Sequence, residues 1–308
     1  VIEIGRILCP VDYSDFSRRA LDYAIGIARW YGATITVFHV ASMMPTLAYA
    51  PAGPALPPVW QPIADREQML AALKRFAAAE AGPVVPLEFD VSEGSPASEI
   101  LAKAESMSSD LLVLGTHGLS GFDRLLLGSV TEKVLRKAVC PVLTVPSHAL
   151  EIVPVSPAIF HRILCATDFS TCSQQAMKYA LSLAQESDAH LTVLNVLEVP
   201  PVAAVDRGES STGSPRVFRE YVEAATAERT RDLARAVPDD ARTYCAIDTR
   251  LVEGQPYQEI LRIAHEEKMD LIVMGVRGRG AADLFFFGST VQHVLRRASC
   301  PVLTLREG

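Results

Sequence analysis

Two glycine-rich stretches carry the residue types in this chain best suited to chemistry. GTHGLSGFDRLLLGS runs from Gly115 to Ser129 and GVRGRGAADLFFFGS from Gly275 to Ser289, both with Gly, two residues, Gly, nine residues and Gly-Ser in the same order. Backbone amides in such a loop can reach phosphate oxygens, because no side chain intervenes and positive φ is allowed. Each stretch follows an apolar run (LLVLG, LIVMG) and precedes a helix-like segment (VTEKVLRKA, VQHVLRRA). The loop therefore delivers its last glycine, with the hydroxyl of Ser129 or Ser289, to a helix N-terminus where the dipole favours an anion. A carboxylate is repeated alongside: Asp12 and Asp168 each close an apolar run, ILCPVD and ILCATD. An ionised carboxylate offers only acceptors, so it suits a ribose hydroxyl or a base amino group. The alternative is structural, with the glycines making a tight turn and the serines acting as N-caps. The joint duplication of aspartate and glycine spacing favours a nucleotide in at least one half.

The elements that must position these groups are themselves repeated. ILCPVDYSDFSRRALDYAIGIARWYGATITVFHV is answered by ILCATDFSTCSQQAMKYALSLAQESDAHLTVLNV, aligning Asp12 with Asp168, Ser14 with Ser170 and Val40 with Val196. Each reads as a short apolar strand, a helix with Ala and Leu at three-to-four spacing, and a β-branched strand, a βαβ unit with a right-handed crossover. The copies then diverge into Pro/Ala-rich residues 41–62 and polar, Gly/Ser-containing residues 199–216, both read as loops. Helices are expected around REQMLAALKRFAAAEA and RVFREYVEAATAERTRDLARAV, then a third strand (LEFDV, DTRLV) and the repeated EGSPASEILAKAE and EGQPYQEILRIAH, with Pro at a helix start. A fourth strand, the glycine loop, a helix and a fifth strand (CPVLTV, CPVLTL) complete each copy. The expected fold is α/β, two tandem doubly wound parallel five-stranded sheets, with domains at 1–147 and 160–308 and a linker in SHALEIVPVSPAIF. If the first and fourth strands are neighbours where strand order reverses, aspartate and glycine loop face one cleft at the strand C-termini.

With 308 residues, 49% of them hydrophobic, the chain can fill two cores. A formal net charge of -7 argues against a nucleic-acid partner, which needs a dense Lys/Arg surface. No apolar run approaches the roughly 18 residues of a membrane span, and VIEIGRILCP reads as a strand rather than a signal peptide. The expectation is a cytoplasmic protein with no membrane partner. Cys9 and Cys165 fall in matching strands, Cys140 and Cys300 before matching PVLT segments, and no CxxC occurs, so these thiols read as packing residues. His117 lies in the first loop but is matched by Arg277, which argues against a shared acid-base role. No paired-histidine spacing, GxSxG elbow or GxxxxGK[ST] loop occurs, and no catalytic residue is assigned. Any metal is expected to be Mg2+ or Mn2+ brought by nucleotide phosphates.

The glycine pattern with its upstream aspartate resembles the ATP-binding class of universal stress proteins, in tandem form, over nearly the whole chain. The resemblance implies strand order 3-2-1-4-5 and a bound ATP or related adenine nucleotide. It places Asp12 and the backbone of Val40 on adenine, with Gly115, Gly118, Gly128 and Ser129 on ribose and phosphates. In the second half the matching positions are Asp168, Val196, Gly275, Gly278, Gly288 and Ser289. It further implies that fifth strands, led by Pro141 and Pro301, associate between domains, so that the chain mimics a dimer of single-domain relatives; a homodimer of the whole chain is a further expectation. The implied role is a stress-response sensor or regulator; a slow ATPase and a scaffold that binds no nucleotide are the alternatives. Pro10 becomes Ala166, Arg124 becomes Leu284 and LLL becomes FFF in the second copy; the lost arginine removes a phosphate counter-charge that Arg277 and Arg279 lie close enough in sequence to replace, and the first site ranks above the second.

Overall fold

The computed structural model of the chain describes residues 2–41, 65–77, 85–116, 127–146, 149, 159–198, 215–276 and 288–306. Two compact units emerge, one running from Glu3 through the fifth strand and taking in Ile159, the other beginning at Phe160. The expected loops after the second strands fall largely outside the described residues, as do residues 117–126 and 277–287 of the glycine loops, and with them Gly118, Gly278, His117, Arg124, Arg277, Arg279 and Leu284.

The first unit consists of β1 (Arg6–Pro10), α1 (Asp15–Tyr31), β2 (Thr34–Ala41), α2 (Arg66–Ala77), β3 (Leu87–Glu93), α3 (Pro96–Ser106), β4 (Leu111–Gly115), α4 (Ser129–Lys137) and β5 (Val142–Val145). The second repeats it with β6 (Arg162–Ala166), α5 (Thr171–Ser187), β7 (His190–Leu197), α6 (Pro215–Ala236), β8 (Ile247–Glu253), α7 (Pro256–Glu266), β9 (Leu271–Gly275), α8 (Ser289–Arg297) and β10 (Val302–Leu305). One element was not anticipated, a 3-10 helix at Asp239–Thr243 that opens after Pro238. Among the described residues no helix is long and apolar enough to cross a membrane.

Within each unit the strands are parallel and ordered β3-β2-β1-β4-β5 and β8-β7-β6-β9-β10, so both sheets are 3-2-1-4-5 as expected. Right-handed crossovers step one way through β1, β2 and β3 and the other way through β4 and β5, which assigns α1 and α2 to one face and α3 and α4 to the other. Contacts agree: the Arg18 guanidinium of α1 lies 4.2 Å from the Phe76 ring centroid of α2, and α3 packs beside α4. Central strands covered on both faces need continuous apolar runs rather than alternation, and Ile7, Leu8, Cys9, Leu112 and Val113 are wholly buried, as are Ile163, Leu164, Cys165, Ile272 and Val273. All six cysteines are buried free thiols. Burial pushes the Cys165 and Cys300 thiols up to about 12 and Cys140 up to about 11, so these groups act as packing side chains.

Helix ends follow local chemistry. Ser14 and Ser170 cap α1 and α5 by accepting the Ser17 and Ser173 N–H groups at 3.2 and 3.3 Å. Gly32 ends α1 at φ 64°, whereas Asp188 takes the left-handed conformation at the end of α5 with φ 52°. Pro96 and Pro256 sit in the first turns of α3 and α7, as read from the repeated EG-Pro segments. Ile159 packs onto α1, where a Cβ built on Gly26 would approach its Cγ2 to 2.7 Å.

A carboxylate at the other end of the sheet sets the strand register. Asp110, directly before β4, accepts the Gly5 and Arg6 N–H groups at 3.0 and 2.8 Å, and its own N–H donates to Arg6 O at 2.9 Å. Asp270 repeats the clasp, accepting from His161 N–H at 2.7 Å and Arg162 N–H at 3.1 Å and donating to Arg162 O at 3.0 Å. Burial raises the Asp270 carboxyl above its ordinary value even against these two amide donors. Asp110→Ala is expected to lower the unfolding free energy of the first unit by about 1–2 kcal/mol, because two strand amides lose their acceptor; an unchanged urea midpoint would refute the clasp.

Asp90 on β3 ties both flanking helices to the sheet, accepting from Arg66 Nη2 of α2 and Lys103 Nζ of α3, each at 2.8 Å. Burial alone would raise its carboxyl, but the Lys103 hydrogen bond, the Val91 amide and the two cations hold it below the usual value. A depressed folded-state value contributes stability that is present above the unfolded aspartate value of about 3.9 and is lost as pH falls through the folded value. Asp90→Asn is therefore expected to be less stable than the parent at neutral pH, with the difference closing as pH drops below about 3.9 in paired denaturation curves.

Candidate functional site

The site is built where β1 and β4 diverge. Pro10 pairs with Phe38 and Leu8 with Leu112, so continuing the strands sets Asp12 level with Val40 on one side and Thr116 on the other. The ladders reach this rim, with Val11 N–H donating to Phe38 O at 2.8 Å and Thr116 N–H to Val145 O at 3.0 Å. In the second unit Ala166 pairs with both Leu194 and Met274, which sets Asp168 level with Val196 and Val276. Asp12, Val40 and Gly115, and likewise Asp168, Val196 and Gly275, thus share one rim, and all six are half-buried.

Each aspartate is oriented by the turn it opens. Asp12 Oδ1 accepts Ser14 N–H at 3.1 Å and Ser14 Oγ–H at 2.5 Å; Asp168 Oδ1 accepts the same two groups of Ser170 at 3.1 and 2.6 Å. The serine that caps the helix therefore also fixes the carboxylate. Between them stands an aromatic residue in the left-handed region, Tyr13 at φ 64° and Phe169 at φ 63°. A bulky residue there costs on the order of 1 kcal/mol or more and persists only where its surroundings hold it. Tyr13 is held by His39, centroids 4.4 Å apart, and edge-on by Phe76 at 5.5 Å, while Arg229 of α6 lies 5.5 Å over Phe169. Burial raises the Tyr13 phenol above its ordinary value. The strain was not anticipated; its signal is the repeated Asp-aromatic-Ser triplet.

The glycine loops end against the same rim. Gly128 N–H donates to Thr116 O at 2.8 Å, and a Cβ on Gly128 would stand 3.0 Å from that oxygen, tighter than a side chain comfortably tolerates. Gly275 is enclosed from the α5 side, where a Cβ would meet Cys172 Cβ at 2.7 Å and Ser173 N at 2.9 Å. Gly128 and Gly288 are themselves the N-cap residues of α4 and α8, with no side-chain cap, and Ser129 and Ser289 are the exposed first helical residues. The serines therefore do not cap; their amides stand among the first N–H groups of the helix, which have no intrahelical acceptor. The units differ here: Thr131 Oγ donates to Gly115 O at 2.9 Å, whereas its counterpart is Val291, and Gly288 N–H reaches Val276 O at a longer 3.2 Å. Among the described residues no cluster of three or more His, Cys, Asp or Glu side chains could hold a metal ion.

The universal stress protein family model matches residues 3–146 and again residues 159–306. The chain belongs to the universal stress protein family. A universal stress protein of Methanocaldococcus jannaschii is 36% identical over 142 residues, 46% of this chain and 81% of the relative. One from Mycolicibacterium smegmatis is 26% identical over 309 residues, 97% of this chain and 96% of its own, so the tandem arrangement recurs over full length. The crystal structure of a universal stress protein from Archaeoglobus fulgidus superposes with a TM-score of 0.62 at 23% identity, covering all of both chains, and shares the fold.

Ser14 is the test of how this universal stress protein holds its aspartate. Ser14→Ala removes an N-cap and an Asp12 donor together and is expected to cost about 1–2 kcal/mol in urea unfolding of the first unit. A Ser14→Ala chain as stable as the parent would show that the turn is held by other contacts.

Proposed function

We propose that each unit binds an adenine nucleotide, ATP or a close relative, and that occupancy rather than turnover is the output, a sensor or regulator in a stress response. The observation that carries this reading is the shared rim: a fixed carboxylate, a strand-end backbone and an uncapped helix N-terminus entered by glycine stand together at the strand-order reversal, and do so twice. Asp12 and Asp168 would take donors of base or ribose, and the backbones of Val40 and Val196 would edge the base. Gly115, Gly118, Gly128 and Ser129, with Gly275, Gly278, Gly288 and Ser289, would offer amides and hydroxyls to ribose and phosphates. Mg2+ or Mn2+ would arrive with the phosphates, which supply its oxygen ligands. The domain limits that go with this reading are 1–147 and 160–308.

The first site is the stronger of the two. Thr131 ties the first turn of α4 to the end of β4, and the Gly128 amide bond is the shorter of the pair, so less ordering remains to be done on binding.

Mass spectrometry of small molecules released by denaturing the freshly purified chain, with stoichiometry, tests the reading. One to two equivalents of an adenine nucleotide per chain are expected, falling by one in Gly128→Val, where a branched side chain is driven into Thr116 O. An empty chain whose melting temperature also ignores millimolar ATP-Mg2+ would return the loops to structural turns, since a ligand of the folded state must raise stability. Sustained phosphate release lost in Gly128→Val would favour the slow ATPase instead.

A further inference from the structure

The second unit carries a cation beside its aspartate where the first carries an apolar side chain. Counting back from the matched third strands, Leu87 of β3 and Ile247 of β8, the buried Leu73 and Ala77 correspond to the buried Leu233 and Val237. That register pairs Met69 with Arg229 and Phe76 with Ala236. Met69 is only 9% exposed, one helical turn before Leu73, and belongs to the core of the first unit. Arg229 holds the same position half-buried, its guanidinium 5.5 Å over the Phe169 ring. His39 and Phe76, whose rings pack on Tyr13, are replaced by Asn195 and Ala236, so the second turn has a guanidinium where the first has rings.

Lying over a ring occupies one face of a guanidinium and leaves the N–H donors around its edge for other partners. No carboxylate among the described residues pairs with Arg229, so its charge is not neutralised there. Asp168 and Phe169 are also half-buried, and carboxylate, ring and guanidinium reach solvent together at the end of β6. α6 packs on β7 and β8 and brings Arg229 in from that side of Asp168. The N-terminus of α8 arrives from the other side, tied to the end of β9 through Gly288 N–H and Val276 O. Two groups suited to an anion therefore flank the aspartate instead of coinciding.

We infer that Arg229 forms a second anion subsite in the second unit, selecting an adenine nucleotide that carries a phosphate on a ribose hydroxyl in addition to its 5′-phosphate. The inference rests on the nucleotide reading of the site. In doubly wound folds a strand-end carboxylate takes a free ribose hydroxyl, and an arginine beside it accommodates a ribose phosphate. Here Asp168 keeps the remaining hydroxyl, the α8 terminus takes the 5′-phosphate, and Arg229 takes the ribose phosphate through its paired N–H groups. The groups common to both units are unchanged; the support of the second turn supplies the extra subsite. In the first unit the same phosphate would lose water against Met69 with nothing to pair it, so that unit takes the nucleotide phosphorylated at the 5′ position alone.

The test is calorimetric titration of the full chain with adenosine 2′,5′-bisphosphate and adenosine 3′,5′-bisphosphate against AMP. One of the two bisphosphates is expected to bind at least about ten-fold tighter than AMP, at a single site per chain, the worth of a charge-assisted hydrogen bond. Arg229→Met, which installs the first unit's residue, should bring the two affinities together by weakening the bisphosphate. Arg231→Met removes the same charge from an exposed position of the same helix and should keep the preference. Melting curves without ligand separate loss of fold from loss of the subsite; should the Arg229→Met chain fail to fold, Arg229→Gln is read in its place. Equal affinity for AMP and both bisphosphates in the parent overturns the inference, as do two equally tight bisphosphate sites per chain. A folded Arg229→Met chain that keeps the preference overturns it too, as does an Arg231→Met chain that loses it. If the parent binds neither ATP-Mg2+, AMP nor a bisphosphate, the proposed function falls as well; if ATP-Mg2+ binds and no bisphosphate is preferred over AMP, only this inference falls.

Discussion

The carboxylate clasp at the start of the fourth strand is the interaction on which the rest of each unit depends. Asp110 holds the amides of Gly5 and Arg6, and Asp270 those of His161 and Arg162, so β1 with β4 and β6 with β9 are locked in register at the end opposite the site. A parallel ladder transmits that register along its length. Slipping β4 by one residue would turn Leu112 and Val113 to the wrong faces and carry Gly115 away from Val11. The level rim of Asp12, Val40 and Thr116 is thus a consequence of a bond made a full strand length away.

At the rim the chain must leave β1 and enter α1 within four residues, and it does so by storing strain. Tyr13 and Phe169 take a left-handed conformation that neither prefers, and the Asp-to-Ser hydrogen bonds close the turn over them. The rings are anchored differently, Tyr13 on His39 and Phe76, Phe169 under Arg229. The strained turn is therefore common to the units, while its support comes from side chains that differ between them.

The sequence made the architecture legible because the repeat reported each element twice. The strands, the helices and the 3-2-1-4-5 order are where apolar runs, glycine spacing and the family resemblance placed them. Asp12, Val40, Gly115 and Gly128 are set at one rim of the first unit, and their counterparts at the matching rim of the second, but the sequence could not distinguish a capping serine from a helical one. That depends on whether Gly128 or Ser129 leaves the helical backbone, which a Gly-Ser pair permits either way. The clasp of Asp110 was hidden because an aspartate before LLVLG looks like a loop residue until its partner strand is known. Position 39/195 was hidden because a histidine and an asparagine look unlike until each is seen on the carbonyl that precedes its own aspartate, His39 Nδ1 at 2.8 Å from Val11 O and Asn195 Nδ2 donating to Thr167 O at 2.7 Å.

Divergence between the units falls on supports rather than on the groups that face the rim. Aspartate, cap serine and terminal glycines are kept, while Thr131 gives way to Val291, His39 to Asn195, and Val11 to Thr167. Thr167 brings its own network, its hydroxyl within 3.1 Å of both Ser173 Oγ and Phe169 N, stiffening the second turn where the first relies on aromatic packing. The first unit is tighter at the glycine-loop end and the second at the aspartate end. Under the proposed function a nucleotide meets a better ordered phosphate end in one unit and a better ordered base end in the other. Affinity follows what remains to be ordered on binding, so two sites with the same ligand groups fill at different concentrations, and one chain responds over a wider span of nucleotide than a symmetric pair.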